Sequence, residues 1–193
     1  MPTSKIANFN IDRNLIRDTD WKLSRIDDPA EFSQFGTFCC GDEDLNDFIR
    51  QDALAHKIQL IVETYVLRQA TGDDPVAFVS FCNDSIRLTD LQRRSKDALP
   101  NGKRYPSMPA VKIARLGVRG DLQGKHIGTH IINMTKEFFT TDNRTGCRFL
   151  TVDAYSKDNV LKFYEKNDFQ FLKTQAPSKT TSIMYLDLKR LTK

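Results

Sequence analysis

Between Gly120 and Thr129 the chain reads GDLQGKHIGT, a stretch whose residue types suit the binding of an anion. Its glycines let the backbone approach a ligand closely, and a helix starting beside them leaves several first-turn N–H groups without intrahelical acceptors. The positive end of that helix, the amides of about Gly124 to Gly128 and the nearby cations Arg119 and Lys125 could together hold a diphosphate. Such a turn also serves simply to pack a strand against a helix, so the stretch alone leaves both readings open. It is not a Walker loop, because Gly124–Lys125 lacks the upstream glycine spacing and a following Ser or Thr, nor is it GxGxxG. Metal chemistry is not expected. His56, His126 and His130 lack HExxH spacing and an adjoining carboxylate cluster, and the four cysteines, Cys39, Cys40, Cys82 and Cys147, lack paired metal-ligand spacing. The thiols are expected to be reduced and mostly buried, and His130 to be an ordinary helix-surface residue.

Charge is unevenly distributed within the net +4. Residues 1–84 carry 8 basic against 15 acidic side chains, residues 85–125 carry 10 against 3, and residues 126–193 carry 11 against 7. The basic block, with Arg93, Arg94, Lys96, Lys103, Arg104, Lys112, Arg115, Arg119 and Lys125, immediately precedes or enters the anion-suited stretch. It is either a solvated surface or a supply of phosphate-compatible cations, and its position favours the second reading.

The elements that must position these residues can be read from periodicity. Asp44 to His56 is expected as a helix, with Leu45, Phe48, Ile49 and Ala53 at helical spacing and Asp42 as its N-cap. Leu60–Arg68 and Val76–Cys82 are rich in β-branched and aromatic residues, and the ATGDDP turn between them predicts an antiparallel hairpin. Ser85–Pro109 is polar and reads as an insertion near the site, with a short helix near Leu88–Leu99. Val111–Val118 is a strand whose apolar alternation breaks between Ile113 and Leu116, which predicts a bulge. A helix over Gly128–Thr140 follows, with Ile127, Ile131, Met134 and Phe138 forming its stripe. The strand Phe149–Ala154, a helix over Asp158–Asn167 and the strands Phe169–Lys173 and Ile183–Leu188 complete the order. The β-α-β-α succession implies parallel neighbouring strands with a ligand at their carboxyl ends.

With 193 residues, 39% hydrophobic content, nine glycines and seven prolines, the chain is expected to form a single globular domain over 1–193. No apolar run approaches the roughly 18 residues of a membrane span, the N-terminal stretch does not read as a signal peptide, and a cytoplasmic location is expected.

The stretch VKIARLGVRGDLQGKHIGTHII resembles the acetyl-CoA-binding motif of the GNAT superfamily of N-acetyltransferases, Q/R-x-x-G-x-G/A. Gln123 and Gly128 match, and His126 replaces the first motif glycine. Downstream, VDAYSKDNVLKFYEKNDF resembles the family's strand and helix ending in FYEKxGF, with Asp168 where glycine is usual, although Asp can enter the left-handed conformation that a helix end favours. The resemblance covers about residues 110–170. It implies an α/β (α+β) GNAT fold: a mixed central sheet with antiparallel N-terminal strands and a β-α-β-α acetyl-CoA-binding core. It also implies that Leu116, Gly117 and Val118 pair with pantetheine through their backbone, and that Gln123, Gly124, Lys125, His126, Ile127 and Gly128, with Thr129 closing the loop, hold the pyrophosphate. A Cβ at position 126 either crowds the phosphate or points outward. Asn159 either contacts pantetheine or supports its helix start.

The implied activity is transfer of an acetyl group from acetyl-CoA to a primary amine by direct attack, with Tyr164 as general acid. A phenol with pKa near 10 stays protonated at neutral pH and can donate to a departing thiolate. A backbone N–H near Leu116–Val118 is the expected oxyanion donor. No carboxylate lies in that strand, so water-mediated deprotonation is expected, with Glu63 and Asp153 in reserve; an α-amine needs less help than a lysine amine. The opening FCCGDEDLNDFIRQDALAH is similar to CG-x-x-x-L-x-x-F-I/L of a GNAT subgroup that includes toxins acetylating aminoacyl-tRNA. This makes tRNA one candidate acceptor beside small amines, peptides and protein N-termini, and toxins of that kind come with an antitoxin partner. A non-catalytic module that binds nucleic acid through the basic block is the alternative from another class. An exposed strand edge would give a homodimer its surface.

Overall fold

The computed structural model describes residues 21–69, 71–97, 99, 105–141, 145–173 and 180–192. Its strands are β1 (Trp21–Arg25), β2 (Glu63–Gln69), β3 (Pro75–Arg87), β4 (Ser107–Val118), β5 (Phe149–Tyr155), β6 (Gln170–Phe171) and β7 (Thr181–Asp187). They form a seven-stranded sheet in the order β1-β2-β3-β4-β5-β7-β6. The helices are α1 (Glu43–Asp47), α2 (Ala53–Ile58), α3 (Arg93–Asp97), α4 (Ile127–Thr141) and α5 (Asp158–Lys166). The sheet is mixed, as the resemblance implies: β1–β2, β2–β3, β5–β7 and β6–β7 are antiparallel, while β4 and β5 are parallel over Ala110–Ile113 and Phe149–Val152. The sequence pass placed no strand at β1. The expected absence of a signal peptide concerns residues outside the described ones, as do Lys103 and Arg104 of the basic block.

The chain divides into two compact units, one ending at Phe81 and resuming over Ala114–Ile131, the other comprising Cys82–Ile113 and Ile132 onward. In the first, Asp42 caps α1 by accepting from the Leu45 amide at 3.4 Å, and Glu43 and Asp44 complement the helix's positive end. The single regular helix expected here is interrupted: Phe48–Asp52 is a π-helical turn, with the Ala53 amide donating to the Phe48 carbonyl. The wider turn inserts one residue and keeps Phe48, Ile49 and Ala53 buried together. Phe35, Phe38 and Phe78 meet edge to face and Phe48 stacks on Phe78, with centroids 5.6 to 6.3 Å apart.

That aromatic group explains the pattern in β4. From Val111 onward the buried positions are Val111, Ile113 and Gly117, after Met108 and Ala110 earlier in the strand, and Arg115 lays its guanidinium over the Phe48 ring at 5.3 Å. One face therefore runs through 111, 113, 115 and 117 without a change of parity, while Leu116 and Val118 are only half-buried. A cation and a glycine there occupy face positions that hydrophobicity counting skips. A Cβ on Gly117 would stand 2.5 Å from Phe78 Cε1, so only hydrogen fits there.

In the second unit, Ile86, Leu91, Met108, Ala110, Phe149 and Tyr185 form the core, with Leu88, Leu99 and Leu172 against it. Ser85–Pro109 is thus no insertion. Its first residues continue β3, its last belong to β4, and Leu88 and Leu91 between them join this core. Arg148 grips buried Asp187 through two bonds of 2.7 and 3.0 Å, which satisfies a carboxylate that would be costly alone.

Candidate functional site

The anion-suited stretch follows β4 directly. After Val118 the chain makes one 3-10 turn, Gly120–Leu122, and enters α4, whose first ladder bond runs from the His130 amide to the His126 carbonyl at 2.9 Å. Two residues take left-handed backbone conformations, Gly124 with φ +76° and His126 with φ +61°. This explains why glycine would suit position 126; the His126 side chain there is exposed. The first turn of α4 (Ile127, Gly128, Thr129) begins immediately after, so a helix amino end and its partial positive charge face the loop.

The loop is held by residues that the sequence analysis did not single out. The Gly120 amide donates to the Cys39 carbonyl at 2.9 Å, and the Gln123 carboxamide donates to the Cys40 carbonyl at 2.7 Å and to the Val118 carbonyl at 3.0 Å. The Cys39–Gly41 turn is in turn fixed by buried Asn46, whose side-chain oxygen accepts from the Cys40 amide at 2.9 Å. Gly41 sits at φ +78°. The signal was present in the FCCG opening, but its meaning is spatial: this turn supplies the carbonyls that receive Gly120 and Gln123.

Charge on the loop is redistributed. Arg119 holds Asp121 through contacts of 2.7 and 3.2 Å, and this pairing keeps the Asp121 carboxyl below its ordinary range. Arg119 is therefore committed to its neighbour, and Lys125 is the exposed cation of the loop. His130 is not a surface residue. It is buried, its Nε2 has no hydrogen-bond partner among the described residues, and burial pushes its pKa below the usual value of 6.5. None of the four cysteines forms a disulfide among the described residues; Cys40 is buried, Cys82 and Cys147 are half-buried and Cys39 is exposed, so fewer are buried than expected.

In the second unit, Tyr164 on α5 is buried between Phe163 and Phe169, with ring centroids 5.0 and 5.3 Å away. Burial pushes its phenol far above the ordinary range, so it is fully protonated at neutral pH. Asp168, where the resemblance expects glycine, has φ +71° and closes α5 while accepting from Lys136 at 2.8 Å. Asn159 is exposed in the first turn of α5, whose N-cap residue Lys157 makes no side-chain capping bond. The reserve carboxylates are engaged in ion pairs, Glu63 with Lys57 at 2.8 Å and Asp153 with Lys112 at 2.9 Å. Among the described residues no group of three or more His, Cys, Asp or Glu side chains is placed to hold a metal ion, and no helix is long and apolar enough to cross a membrane.

Comparison with solved structures fixes the architecture. AtaT complexed with acetyl-methionyl-tRNAfMet matches with a TM-score of 0.69 over 89% of this chain and 97% of that one, at 20% identity. The chain has the GNAT acetyltransferase fold. A tyrosine-to-phenylalanine mutant of the AtaT toxin, bound to the C-terminus of the antitoxin AtaR and acetyl-CoA, matches with a TM-score of 0.63 over 89% of this chain and 96% of that one, at 18% identity. By sequence, a tRNA-acetylating toxin of Mycobacterium tuberculosis is 25% identical over 154 residues, 79% of this chain and 84% of that protein. No family model matches the chain. The chain is thus similar in sequence to a tRNA-acetylating toxin and in fold to the AtaT toxin.

Proposed function

We propose that the chain is an acetyl-CoA-dependent N-acetyltransferase whose acceptor is the α-amino group of an aminoacyl-tRNA. The observation that carries the first half is the loop from Gln123 to Gly128, tied to the Cys39–Gly41 turn and presenting two left-handed residues to the start of a 15-residue helix. The residues suit a diphosphate: Lys125 and His126 are exposed, and the amides of the first turn of α4 face the loop. The acceptor rests on the relatives, a tRNA-acetylating toxin by sequence and a tRNA-bound toxin by structure, and on the basic middle of the chain. This reading takes precedence over a small amine, a peptide or a protein N-terminus.

When bound, acetyl-CoA supplies a thioester carbon for attack and a thiolate as leaving group. The chain's own residues do the rest. Gln123, Gly124, Lys125, His126, Ile127, Gly128 and Thr129 hold the diphosphate, and the backbone of Leu116, Gly117 and Val118 pairs with pantetheine and offers an amide to the thioester oxygen. Tyr164 gives its proton to sulfur as the C–S bond breaks and the N–C bond forms. Burial raises the phenol's pKa and so keeps its proton in place at neutral pH until it is delivered. The amine's proton leaves through water. An α-amine, with a pKa near 8, is about one-tenth neutral at pH 7, far more than a lysine amine near 10.4, and so needs less help from a base.

The test is release of free thiol from acetyl-CoA in the presence of charged tRNA, deacylated tRNA and simple amines, with the RNA product examined for N-acetylated aminoacyl ends. Thiol release that requires charged tRNA supports the reading. Salt-sensitive tRNA binding with no thioester consumption would instead make the chain a non-catalytic module.

A further inference from the structure

The second unit carries 18 basic against 10 acidic residues, whereas the first carries 11 against 15. The cradle loop therefore belongs to an acidic body and the cationic surplus to the other unit. Within the second unit one part of that surplus is built, not scattered. Buried Ser95 of α3 holds three neighbours through its single hydroxyl: Tyr185 Oη of β7 at 3.0 Å, Gln170 Nε2 of β6 at 3.1 Å and an Arg190 guanidinium nitrogen at 3.1 Å. The Gln92 amide adds a bond to the same Tyr185 hydroxyl at 3.1 Å, the Gln92 carboxamide donates to the Phe171 carbonyl at 3.1 Å, and the Lys173 amide donates to the Asp90 carbonyl at 2.8 Å. These bonds fasten a five-residue helix, too short to be stable alone, onto β6, β7 and the C-terminal 3-10 turn Leu188–Leu191.

The consequence is a rigid rim of cations. Arg93 and Lys96 on α3, Lys173 after β6, and Lys189 beside Arg190 are all exposed, and Phe171 keeps 38% of its surface in water among them. Arg93 meets Asp97 at 3.5 Å, but with 93% and 66% of the two side chains exposed that pair is screened and exchangeable. Hydrogen-bonded backbone with exposed lysine and arginine side chains suits a phosphate chain, and one exposed ring offers a base a face to stack on.

We infer that Arg93, Lys96, Lys173 and Lys189, organised around Ser95 with Phe171 between them, form a docking surface for the RNA phosphate backbone of the acceptor. The inference rests on the tRNA reading above and gives it an address on the second unit. None of the four cations belongs to the cradle or to the acid group.

The test uses the full chain and the variant Arg93→Gln/Lys96→Gln/Lys173→Gln/Lys189→Gln, with Phe171→Ser measured separately. Binding of deacylated tRNA is followed by fluorescence anisotropy over a salt series, and acetylation of charged tRNA is followed in parallel. The expected result is a slope of log affinity against log salt that is shallower by about 3 in the quadruple variant, with binding at least ten-fold weaker near 0.1 M salt and an unchanged affinity for acetyl-CoA. Phe171→Ser should weaken binding several-fold without changing the slope. Charged tRNA acetylated by the variant with the wild-type KM and salt slope would overturn this surface and leave the tRNA reading standing. Tight, variant-sensitive binding of tRNA by a protein that never acetylates it would do the reverse.

Discussion

The Gln123 carboxamide donates to the backbone carbonyl of Cys40 at 2.7 Å, so the strand-to-helix loop is clamped to a turn more than eighty residues earlier in the chain. A second bond from the same nitrogen to the Val118 carbonyl at 3.0 Å folds the loop back on the strand that leads into it. Replacing Gln123 by Leu removes both while keeping bulk. Each net bond contributes about 1 kcal/mol, so the KM for acetyl-CoA should rise roughly ten-fold or more while kcat changes much less. Steady-state kinetics with saturating acceptor separate the two; a kcat loss at constant KM would assign Gln123 to chemistry instead.

At His126 the prediction runs against the usual direction of mutation. A side chain at φ +61° costs about 1–2 kcal/mol relative to glycine, offset by the greater backbone entropy glycine loses, about 0.5–1 kcal/mol. His126→Gly should leave the melting temperature equal or slightly higher and the affinity for acetyl-CoA within two-fold, because the imidazole is exposed. His126→Val, β-branched in the same conformation, should be clearly destabilised. A large loss of coenzyme affinity in the glycine variant would show that the imidazole itself binds the phosphate.

Tyr164→Phe keeps the ring between Phe163 and Phe169 and deletes only the proton donor. The expected outcome is a fall in kcat of roughly 10²-fold or more with little change in KM, the scale for a positioned general acid. Calorimetric titration should give wild-type binding of acetyl-CoA. A variant that turns over normally removes Tyr164 from the mechanism and leaves it a core aromatic.

The elements with strong periodic signals were legible in the sequence: the β2–β3 hairpin, α4 with Ile127, Ile131 and Met134 inward, and the parallel β4–β5 pair. What failed depended on contacts between distant segments. Arg115 and Gly117 hold a continuous strand face because Phe48 and Phe78 lie beneath them, which no local alternation can reveal. The π-helical turn at Phe48–Asp52 likewise answers to packing, since the sequence there is an acceptable regular helix. In the candidate site the loop itself was readable from its glycines. Its anchors were not, because Cys39 and Cys40 act through main-chain carbonyls that carry no side-chain signature.

His130 makes the protein's stability depend on acidity in a calculable direction. Its folded pKa lies below 6.5 because burial disfavours the imidazolium, so the unfolded chain binds the proton more readily. Stability is therefore fully present above pH 6.5 and falls as the pH drops from there toward the folded value. Urea unfolding at about pH 7.5 and about pH 5 should show this loss in the wild type and a smaller one in His130→Leu, which also relieves the unpartnered Nε2. An identical acid loss in both proteins would place the titration elsewhere.

Gly117→Ala tests the packing that holds β4 against the aromatic group. The added methyl would start 2.5 Å from Phe78 Cε1, and Phe78 is fully buried against Phe35, Phe38 and Phe48, so the ring has little room to yield. Overpacking of this kind costs about 1–3 kcal/mol, which for a chain of this size lowers the melting temperature by roughly 3–10 °C. Truncating the obstacle should rescue it: Phe78→Leu alone is destabilising, but Gly117→Ala should cost less in that background than in the wild type. A double-mutant cycle by thermal unfolding gives the coupling directly, and simple additivity would show that the strand moves aside without engaging the ring.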